Sequence, residues 1–591
     1  MGSTTADGEN RDTAQQSSPA PSAEPAPTPL HSPYFWLFRI LPLRWVIPVA
    51  LVAVAASLVA VIFDASVWIA AGVCAGVLLL GLTPRPRRKS LAGWLDEEIT
   101  FRWRVFRNRS ATADQAPFDV PLPEGGAYGM RWDGSRLLIM LRVEAHPRTV
   151  TLLSPQSLIS DDMMPLPELA HCLNQFDIEL ASIDVISTGA RTSGPGRVSH
   201  LYEQILGPLP AVAHRTVWVV LRLDPLGNAP AVARRGGGAT GTLRTAIVAT
   251  QRVANRLAAH GISTVVLSAA EITAAVNQLT RHTPLEEFTE TAHSVERDGI
   301  HYTTYRMAPE ALGPRGFAAV WSTPTLATTV TMRLQRAPAR SPRDQAAAPG
   351  AAGIEVTAVV RFDTRDKPAV VKAEGLVPLP GKQFRALLYP LPIARRGRRF
   401  SPETYLGKPD SLLALPMPIA GCGQLIGADT SGQAVALPLV GHQVRRVEVI
   451  GSLLVAQQMI LRAIALGASV VVHTNRHDAW RQMAADVGVP QSLTVAAWSA
   501  AGQQASAHRF ATVVVYDGIP PTGHHSDATT VLLRNAPATM EDHFDPDVTL
   551  AEDPETANLV TVRTAGVTTR VHMVATPDEM QYLHTALALA R

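Results

Sequence analysis

The chain has 591 residues, of which 46% are apolar and 17% charged, and its 53 basic and 50 acidic residues give a formal net charge of +3. This length predicts two or three folded units, and so small a net charge gives no ground for expecting nucleic-acid binding. The three cysteines, Cys74, Cys172 and Cys422, lie too far apart in sequence for a disulfide framework or a zinc site built on cysteine spacing.

The first 90 residues predict a tail followed by a membrane anchor. Residues 1–32 are rich in Ser, Thr, Ala and Pro and hold no aromatic residue, which predicts a disordered tail. Residues 33–90 begin with an aromatic segment typical of a membrane interface and continue with two uncharged apolar runs, at 45–63 and 67–82. Because these runs approach the length needed to cross a hydrocarbon core of ~30 Å, they predict a transmembrane helical hairpin. The alternative is a buried helical hairpin in a soluble core.

Charges around this hairpin predict its orientation. The turn between the two runs holds no basic residue, whereas six basic residues flank the hairpin and are expected to contact lipid head groups. Both termini are therefore predicted to be cytoplasmic, in a multi-pass protein of the cell inner membrane. Gly72 and Gly76, four residues apart, are expected to let the helices pack closely on each other or on a partner. The six flanking residues are Arg39, Arg44, Arg85, Arg87, Arg88 and Lys89.

The stretch after the hairpin predicts cytoplasmic α/β structure. Residues 91–116 predict a juxtamembrane helix, and residues 117–335 alternate strand and helix patterns, which favours a largely parallel sheet covered by helices. Residues 336–353 form a Pro-, Ala- and Gly-rich linker or inserted loop, and residues 354–422 form a strand-rich segment.

Three features within residues 117–335 are specific enough to place. Asp133-Gly134 separates two short strand patterns and is typical of a β-hairpin turn. The nearly continuous apolar run His214–Leu223 predicts a strand that is buried on both faces. A long amphipathic helix is predicted from about Thr242 to His260.

This domain also contains stretches that resemble a known family. FDVPLPEGGAYGMRWDG (118–134), LASIDVISTGARTSGPG (180–196) and the long block at 206–262 resemble EccE, a membrane component of the mycobacterial ESX (type VII) secretion system. The resemblance implies an inner-membrane structural subunit, a scaffold without enzyme activity, present in multiple copies. It also implies assembly with EccB, EccC and EccD, of which EccC would be the motor.

A basic, glycine-rich segment follows the predicted buried strand. It consists of Arg234, Arg235, Gly236, Gly237 and Gly238, and it precedes the long helix. Backbone N–H groups before a helix can hold a phosphate, although neither GxGxxG nor GxxxxGK[ST] is present. The segment is therefore either an anion- or partner-binding loop or a loop that needs glycine for its shape.

The last block, residues 423–591, alternates strands and helices in an order that predicts a Rossmann-like or degenerate P-loop-like domain. Residues 425–464 and 513–518 are similar to the corresponding stretches of FtsK/EccC-type ATPases. However, Gly451-Ser452 is followed by two leucines where a phosphate loop needs Gly, Lys and Ser or Thr. Nucleotide hydrolysis is therefore not expected, and the block is either a docking module or an α/β fold that is similar by chance.

These observations predict a non-catalytic subunit of a type VII secretion complex, docked to other channel components and to the lipid bilayer. No catalytic, cofactor-binding or metal-ligating residue is assigned. The His and carboxylate clusters, His524-His525 and Glu541-Asp542-His543, lack metal-ligand spacing, and a nucleophile and its base would meet only in space. The alternative is a membrane-tethered enzyme resembling nucleotide-sugar transferases and acting at the inner leaflet. Its only Asp-x-Asp pair would be Asp545-Pro546-Asp547, which lies in a predicted loop.

Overall fold

The structure is a computed structural model, and its helices are mostly short. The residues it describes are 29–33, 43–64, 66–82, 115–145, 150–193, 196–338, 353–371, 373–394, 400, 402–441, 443–496, 511–521, 527–535 and 544–583. The α-helices in these ranges are α1 Leu43–Ile62, α2 Val67–Leu82, α3 Leu166–His171, α4 Gly196–Leu206, α5 Ala229–Arg234, α6 Gly238–Ala259, α7 Ala269–Leu279, α8 Pro314–Trp321, α9 Gln383–Leu387, α10 Leu453–Ala465, α11 His477–Val487 and α12 Pro577–Met580.

Strands make up most of the remaining regular structure. Up to residue 336 they are β1 Phe118–Pro121, β2 Ala127–Asp133, β3 Arg136–Glu144, β4 Thr151–Ser154, β5 Ser157–Ile159, β6 Asn174–Gln175, β7 Ile178–Ala190, β8 His214–Leu223, β9 Ser263–Val266, β10 Thr289–Glu290, β11 Val295–Arg297, β12 Ile300–Met307 and β13 Ala327–Arg336. After it they are β14 Ile354–Arg365, β15 Leu376–Pro378, β16 Tyr405–Gly407, β17 Gln424–Ala428, β18 Ala434–Leu437, β19 Arg446–Ile450, β20 Val470–Thr474, β21 Leu493–Ala496, β22 Val513–Asp517, β23 Thr529–Arg534, β24 Val548–Glu552, β25 Leu559–Thr564 and β26 Thr568–His572.

The first sheet is antiparallel throughout its described pairs. Its main path is β1-β2-β3-β8-β7-β13-β14-β12-β11-β10, and β6, β9, β15 and β16 pair at its sides. The prediction of a largely parallel sheet in this region is therefore wrong. The connection between β7 and β8 shows the reason: α4 does not lie over the sheet as a crossover helix. Instead it packs on α10 of the other sheet, where the Ser199 hydroxyl donates to the Ala465 carbonyl at 3.1 Å.

The second sheet is mixed. Its order is β21-β20-β22-β23-β19-β24-β25-β26-β17-β18-β4-β5, in which β21 to β24 pair in parallel and the others antiparallel. The predicted fold class, a membrane hairpin followed by largely parallel α/β domains ending in a Rossmann-like unit, is wrong for this chain. The antiparallel meander β24-β25-β26 extends the sheet beyond a Rossmann arrangement, and β4 and β5 join it from the first third of the chain.

The helices α1 and α2 lie where the transmembrane hairpin was predicted. α2 has 16 residues and is about 24 Å long, shorter than a ~30 Å hydrocarbon core. The side chains of α1 are described from Val46 to Ile62 only. Within the described part of the chain, no helix combines the length and the apolar character needed to cross a membrane. The structure thus overturns the predicted transmembrane hairpin and multi-pass inner-membrane localisation.

A buried charged network lies inside the first sheet. Asp184 is fully buried on β7 and accepts hydrogen bonds from Arg222 on β8 and from Arg333 on β13, the latter at 2.8 and 2.7 Å. Burial raises the pKa of Asp184, but attraction to both guanidinium groups outweighs it and holds the pKa below its usual range. These bonds tie three adjacent strands together.

Candidate docking site

The basic, glycine-rich segment predicted from the sequence joins α5 to α6 at a tight corner. Gly236, Gly237 and Gly238 have φ angles of 107°, 66° and 52°, in the region that favours glycine. The N–H groups of Gly236 and Gly237 donate to the carbonyls of Ala233 and Val232 at 3.2 and 2.9 Å. These two donors are used within the corner itself, so the glycines serve the turn and the arginine side chains carry its charge.

Two arginines of this corner, together with Arg252 of α6, meet at one carboxylate. Arg235 makes a two-pronged contact with Asp177, with Nη1–Oδ2 at 2.7 Å and Nη2–Oδ1 at 3.2 Å. Arg234 and Arg252 approach the same carboxylate at 3.4 and 3.6 Å. The hydrogen bond from Arg235, with the attraction of the neighbouring arginines, lowers the pKa of Asp177 to about 2. The group therefore holds three positive charges against one negative charge.

An exposed aromatic ring stands beside these charges. Phe176 and Asp177 form the two-residue turn between β6 and β7, and the Phe176 side chain is 94% exposed. Its φ is +58°, a conformation that a bulky side chain adopts at a cost. The guanidinium carbon of Arg252 lies 5.4 Å from the centre of the ring. We call Phe176, Asp177, Arg234, Arg235 and Arg252 the basic knob.

The composition of the basic knob suits protein recognition better than catalysis. Exposed aromatic rings and arginines are the residue types that dominate binding energy at protein interfaces. Sequence reasoning found Arg234 and Arg235 but missed the other three members of the knob. Phe176-Asp177 between two strand patterns was the available signal, since a two-residue hairpin turn usually contains glycine or asparagine.

The other predicted functional residues lie in the N-terminal part. A Cβ added at Gly72 or Gly76 would meet no described atom within 4 Å, whereas one at Gly81 would lie 2.6 Å from Val49 Cγ1. A packing role for Gly72 and Gly76 stays a prediction. Arg44 lies in the first turn of α1. The remaining basic residues of this prediction lie outside the described residues, and they are Arg39, Arg85, Arg87, Arg88 and Lys89.

The second sheet contains the place that a phosphate loop would occupy, between β19 and α10. Here the N–H of Ser452, which precedes α10, donates to Oε2 of Glu552 at 2.6 Å. Gly451 makes room for this contact, because a Cβ on it would lie 2.6 Å from the Glu552 Cβ. A carboxylate of the protein therefore binds at the helix N-terminus, where a nucleotide phosphate would bind in an ATPase.

The carboxylate at the end of β22 is likewise bound by side chains of the protein itself. Asp517 is fully buried and accepts hydrogen bonds from Thr474 at 2.8 Å, from Trp480 Nε1 at 2.9 Å and from Arg476 Nε at 3.1 Å. In the described residues, no group of three or more His, Cys, Asp or Glu side chains is arranged to hold a metal ion. Asp547, from the pair considered for a transferase, accepts from the backbone N–H groups of Arg445 and Arg446.

Comparison with known proteins identifies one family. Residues 211–307 match the family described as "Putative type VII ESX secretion system translocon, EccE". The ESX-1 secretion system protein EccE1 of Mycolicibacterium smegmatis is 29% identical over 174 residues, which is 29% of this chain and 37% of that protein. The EccE1 protein of Mycobacterium tuberculosis is 30% identical over 194 residues, covering 32% of this chain and 41% of that protein.

A longer match extends beyond the ESX-1 proteins. The ESX-2 secretion system protein EccE2 of Mycobacterium tuberculosis is 24% identical over 382 residues, covering 62% of this chain and 63% of that protein. The chain spans about two fifths of the length of the ESX-1 relatives it matches. These matches confirm the resemblance to EccE predicted from the sequence. The matched residues 211–307 include the three arginines of the basic knob but not Phe176 and Asp177.

Proposed function

We propose that this chain, with its EccE-like domain, is a non-enzymatic structural component of an ESX type VII secretion complex and docks another component through the basic knob. The names of its relatives support a place in such a system. By the resemblance to EccE, the candidate partners are EccB, EccC and EccD.

The observation that carries the docking role is the conformation of Phe176. A phenylalanine that is 94% exposed gains little from burial, and its positive φ costs on the order of 1 kcal/mol or more. Glycine would form the same turn without that cost. A strained residue that does not serve the turn or the core is best explained by a contact with a partner, in which the ring becomes buried.

Charge defines the partner's surface. Arg235 pairs with Asp177. The side chains of Arg234 and Arg252, beside the ring, are 62% and 35% exposed. A matching surface offers an apolar pocket for Phe176 with acidic side chains at its rim. Such charges direct association and specificity more than they add to affinity.

Two contacts in the second sheet support a role without catalysis. Glu552 binds the N-terminus of α10, and Arg476 with Trp480 binds Asp517. Both positions correspond to parts of a nucleotide site in ATPases with a similar strand order. Because side chains of the chain itself engage them, the second sheet is suited to a structural role.

Co-expression tests the proposal. The tagged chain is produced with EccB, EccC and EccD of the same system, and the purified material is identified by mass spectrometry. We expect at least one of the three to co-purify. We expect Phe176→Gly to abolish or strongly reduce this association while leaving thermal stability unchanged or slightly raised, because glycine tolerates the positive φ.

A matched control separates docking from general surface effects. Val574 is 66% exposed and lies two residues after β26 of the second sheet, so Val574→Ser should leave the association intact. Co-purification that survives Phe176→Gly would contradict the role of the knob. Failure of all three proteins to associate with the unmodified chain would contradict the structural role itself.

A further inference from the structure

A second polar site lies at one end of four central strands of the first sheet. Because neighbouring strands are antiparallel, β7 and β14 end where β8 and β13 begin. Ala190 pairs with His214 there, and Ala327 pairs with Asp363. Together with the end of α7 and the start of α4, they enclose a cleft of about 700 Å³. That volume is in the range of small-molecule sites in proteins.

The walls of this cleft are rich in hydrogen-bonding groups. Thr188, Thr192, Thr216 and Thr325 line it, and Gly196 places the N-terminal turn of α4 against it. The first N–H groups of a helix lack partners within the helix and carry a partial positive charge. The helix N-terminus therefore favours an anion in the cleft, whereas the hydroxyls of Thr188, Thr192 and Thr325 already bond within the protein.

A buried ion pair lies among the lining residues. Arg361 lines the cleft, is 3% exposed and binds both oxygens of Asp363, with Nε–Oδ1 at 2.8 Å and Nη2–Oδ2 at 3.2 Å. Its Nη2 also donates to the Leu279 carbonyl at 2.8 Å. Its Nη1 is buried as well, so it does not open on the cleft. Within the lining, Arg361 and Asp363 therefore compensate each other's charge.

Two further arginines stand at the mouth. Arg281 and Arg365 line the cleft and are exposed, and neither side chain makes a hydrogen bond or salt bridge with a described residue. Arg281 lies close enough to Asp363 to act on it electrostatically. Since Asp363 is the one carboxylate among the lining residues, three arginines leave two positive charges uncompensated.

We propose that this cleft binds a small phosphate monoester, with Arg281 and Arg365 around the phosphoryl group. A phosphate monoester carries about two negative charges at neutral pH and three strong acceptor oxygens. It therefore matches the positive charge of the lining, and the polar residues of the walls surround the body of the ester. This site is separate from the basic knob and goes beyond the docking role.

Titration calorimetry on the full chain tests the site with glucose 6-phosphate as the probe. Uncharged glucose and inorganic phosphate are run in parallel, at low and moderate ionic strength. We expect saturable binding of glucose 6-phosphate that weakens with added salt, no binding of glucose, and weaker binding of inorganic phosphate. Inorganic phosphate binding as tightly as the ester would overturn the proposal of an ester site, because it would show that only the anion is recognised.

Substitutions locate the binding. Arg281→Gln and Arg365→Gln should each weaken glucose 6-phosphate binding by about tenfold or more, since each removes a charged contact. Arg563→Gln, at an exposed position on β25 of the second sheet, is the matched control and should leave the affinity unchanged.

Three results would overturn the proposal: no saturable binding by the unmodified chain, equal losses in the control, or no loss in either cleft variant. Phe176→Gly distinguishes this site from the docking surface. We expect that variant to bind glucose 6-phosphate as the unmodified chain does, whatever its effect on partner association.

Discussion

The two sheets differ in whether the charged groups at the ends of their strands are paired within the protein. In the second sheet, Glu552 binds the N–H before α10, and Asp517 is held by Arg476 and Trp480. At the cleft of the first sheet, by contrast, Arg281 and Arg365 make no hydrogen bond or salt bridge with a described residue.

This difference teaches where binding should be sought in the molecule. The second sheet has the strand order of nucleotide-binding proteins, yet its own side chains meet the groups that a nucleotide would meet. The first sheet has no such analogy, yet two exposed arginines of its cleft make no ion pair with a described residue. A local excess of positive charge in a cleft is a more specific indication of a bound anion than a general similarity of fold.

Removing the buried carboxylate at the end of β22 should have the largest effect on stability. Asp517→Ala removes a fully buried carboxylate and the acceptor for Arg476, Trp480 and Thr474, so we expect a loss of about 3–5 kcal/mol in the free energy of unfolding. Urea unfolding and hydrogen exchange of α11 measure it. Asp545→Ala is the control, because that side chain is 91% exposed and pairs with Arg446 only at 3.6 Å. Equal stability of both variants would show that the β22 network contributes nothing.

Removing the carboxylate at the N-terminus of α10 should lower the stability by a smaller amount. Glu552→Ala leaves the Ser452 N–H without its carboxylate, and we expect a loss of about 1.5–3 kcal/mol. Since the freed helix N-terminus attracts anions, adding phosphate should restore part of that loss. Thermal unfolding in phosphate and in chloride, compared with the unmodified chain in the same buffers, measures the recovery. If the variant gains no more from phosphate than the unmodified chain, the carboxylate is not standing where an anion would bind.

The basic knob combines both features: its carboxylate is paired, as in the second sheet, whereas its aromatic ring is exposed. Asp177 has a folded-state pKa of about 2, below the unfolded value of about 3.9, so its ion pair stabilises the fold above that unfolded value. The stabilisation is lost as the pH falls through the folded pKa. Asp177→Asn should therefore cost about 1 kcal/mol or less at pH 7, and its difference from the unmodified chain should shrink below about pH 4. A difference that stays constant from pH 7 to pH 3 in urea unfolding would contradict this assignment.

Several local elements could be predicted because their signals are local. A hairpin does join β2 to β3, although Asp133 is the last residue of β2, opposite Arg136, and the turn itself is Gly134-Ser135. The run His214–Leu223 is β8, and it is buried over most of its length. The long amphipathic helix is α6, which begins at Gly238, four residues before the predicted start. Turn chemistry and hydrophobic periodicity act over a few residues, so a single sequence contains them.

Strand direction and the two sites depend on distant residues. The alternation of strands and helices predicted a parallel sheet, but α4 packs on α10 and leaves β7 and β8 antiparallel. Arg235 was predicted as a binding residue, whereas its partner Asp177 is 58 positions away. The cleft draws on two pairs of antiparallel strand ends that only the folded sheet brings together. No pattern within one segment could show these contacts.

The smallest expected effect on stability belongs to Arg365. Its side chain is exposed and makes no hydrogen bond or salt bridge with a described residue, so Arg365→Gln should change the free energy of unfolding by no more than about 0.5 kcal/mol. Urea unfolding without ligand measures this change. Added glucose 6-phosphate should then separate the two proteins, because a ligand stabilises only the form that binds it. A large loss without ligand would mean that Arg365 serves the fold, and the contrast between an open first sheet and a closed second sheet would fail at this residue.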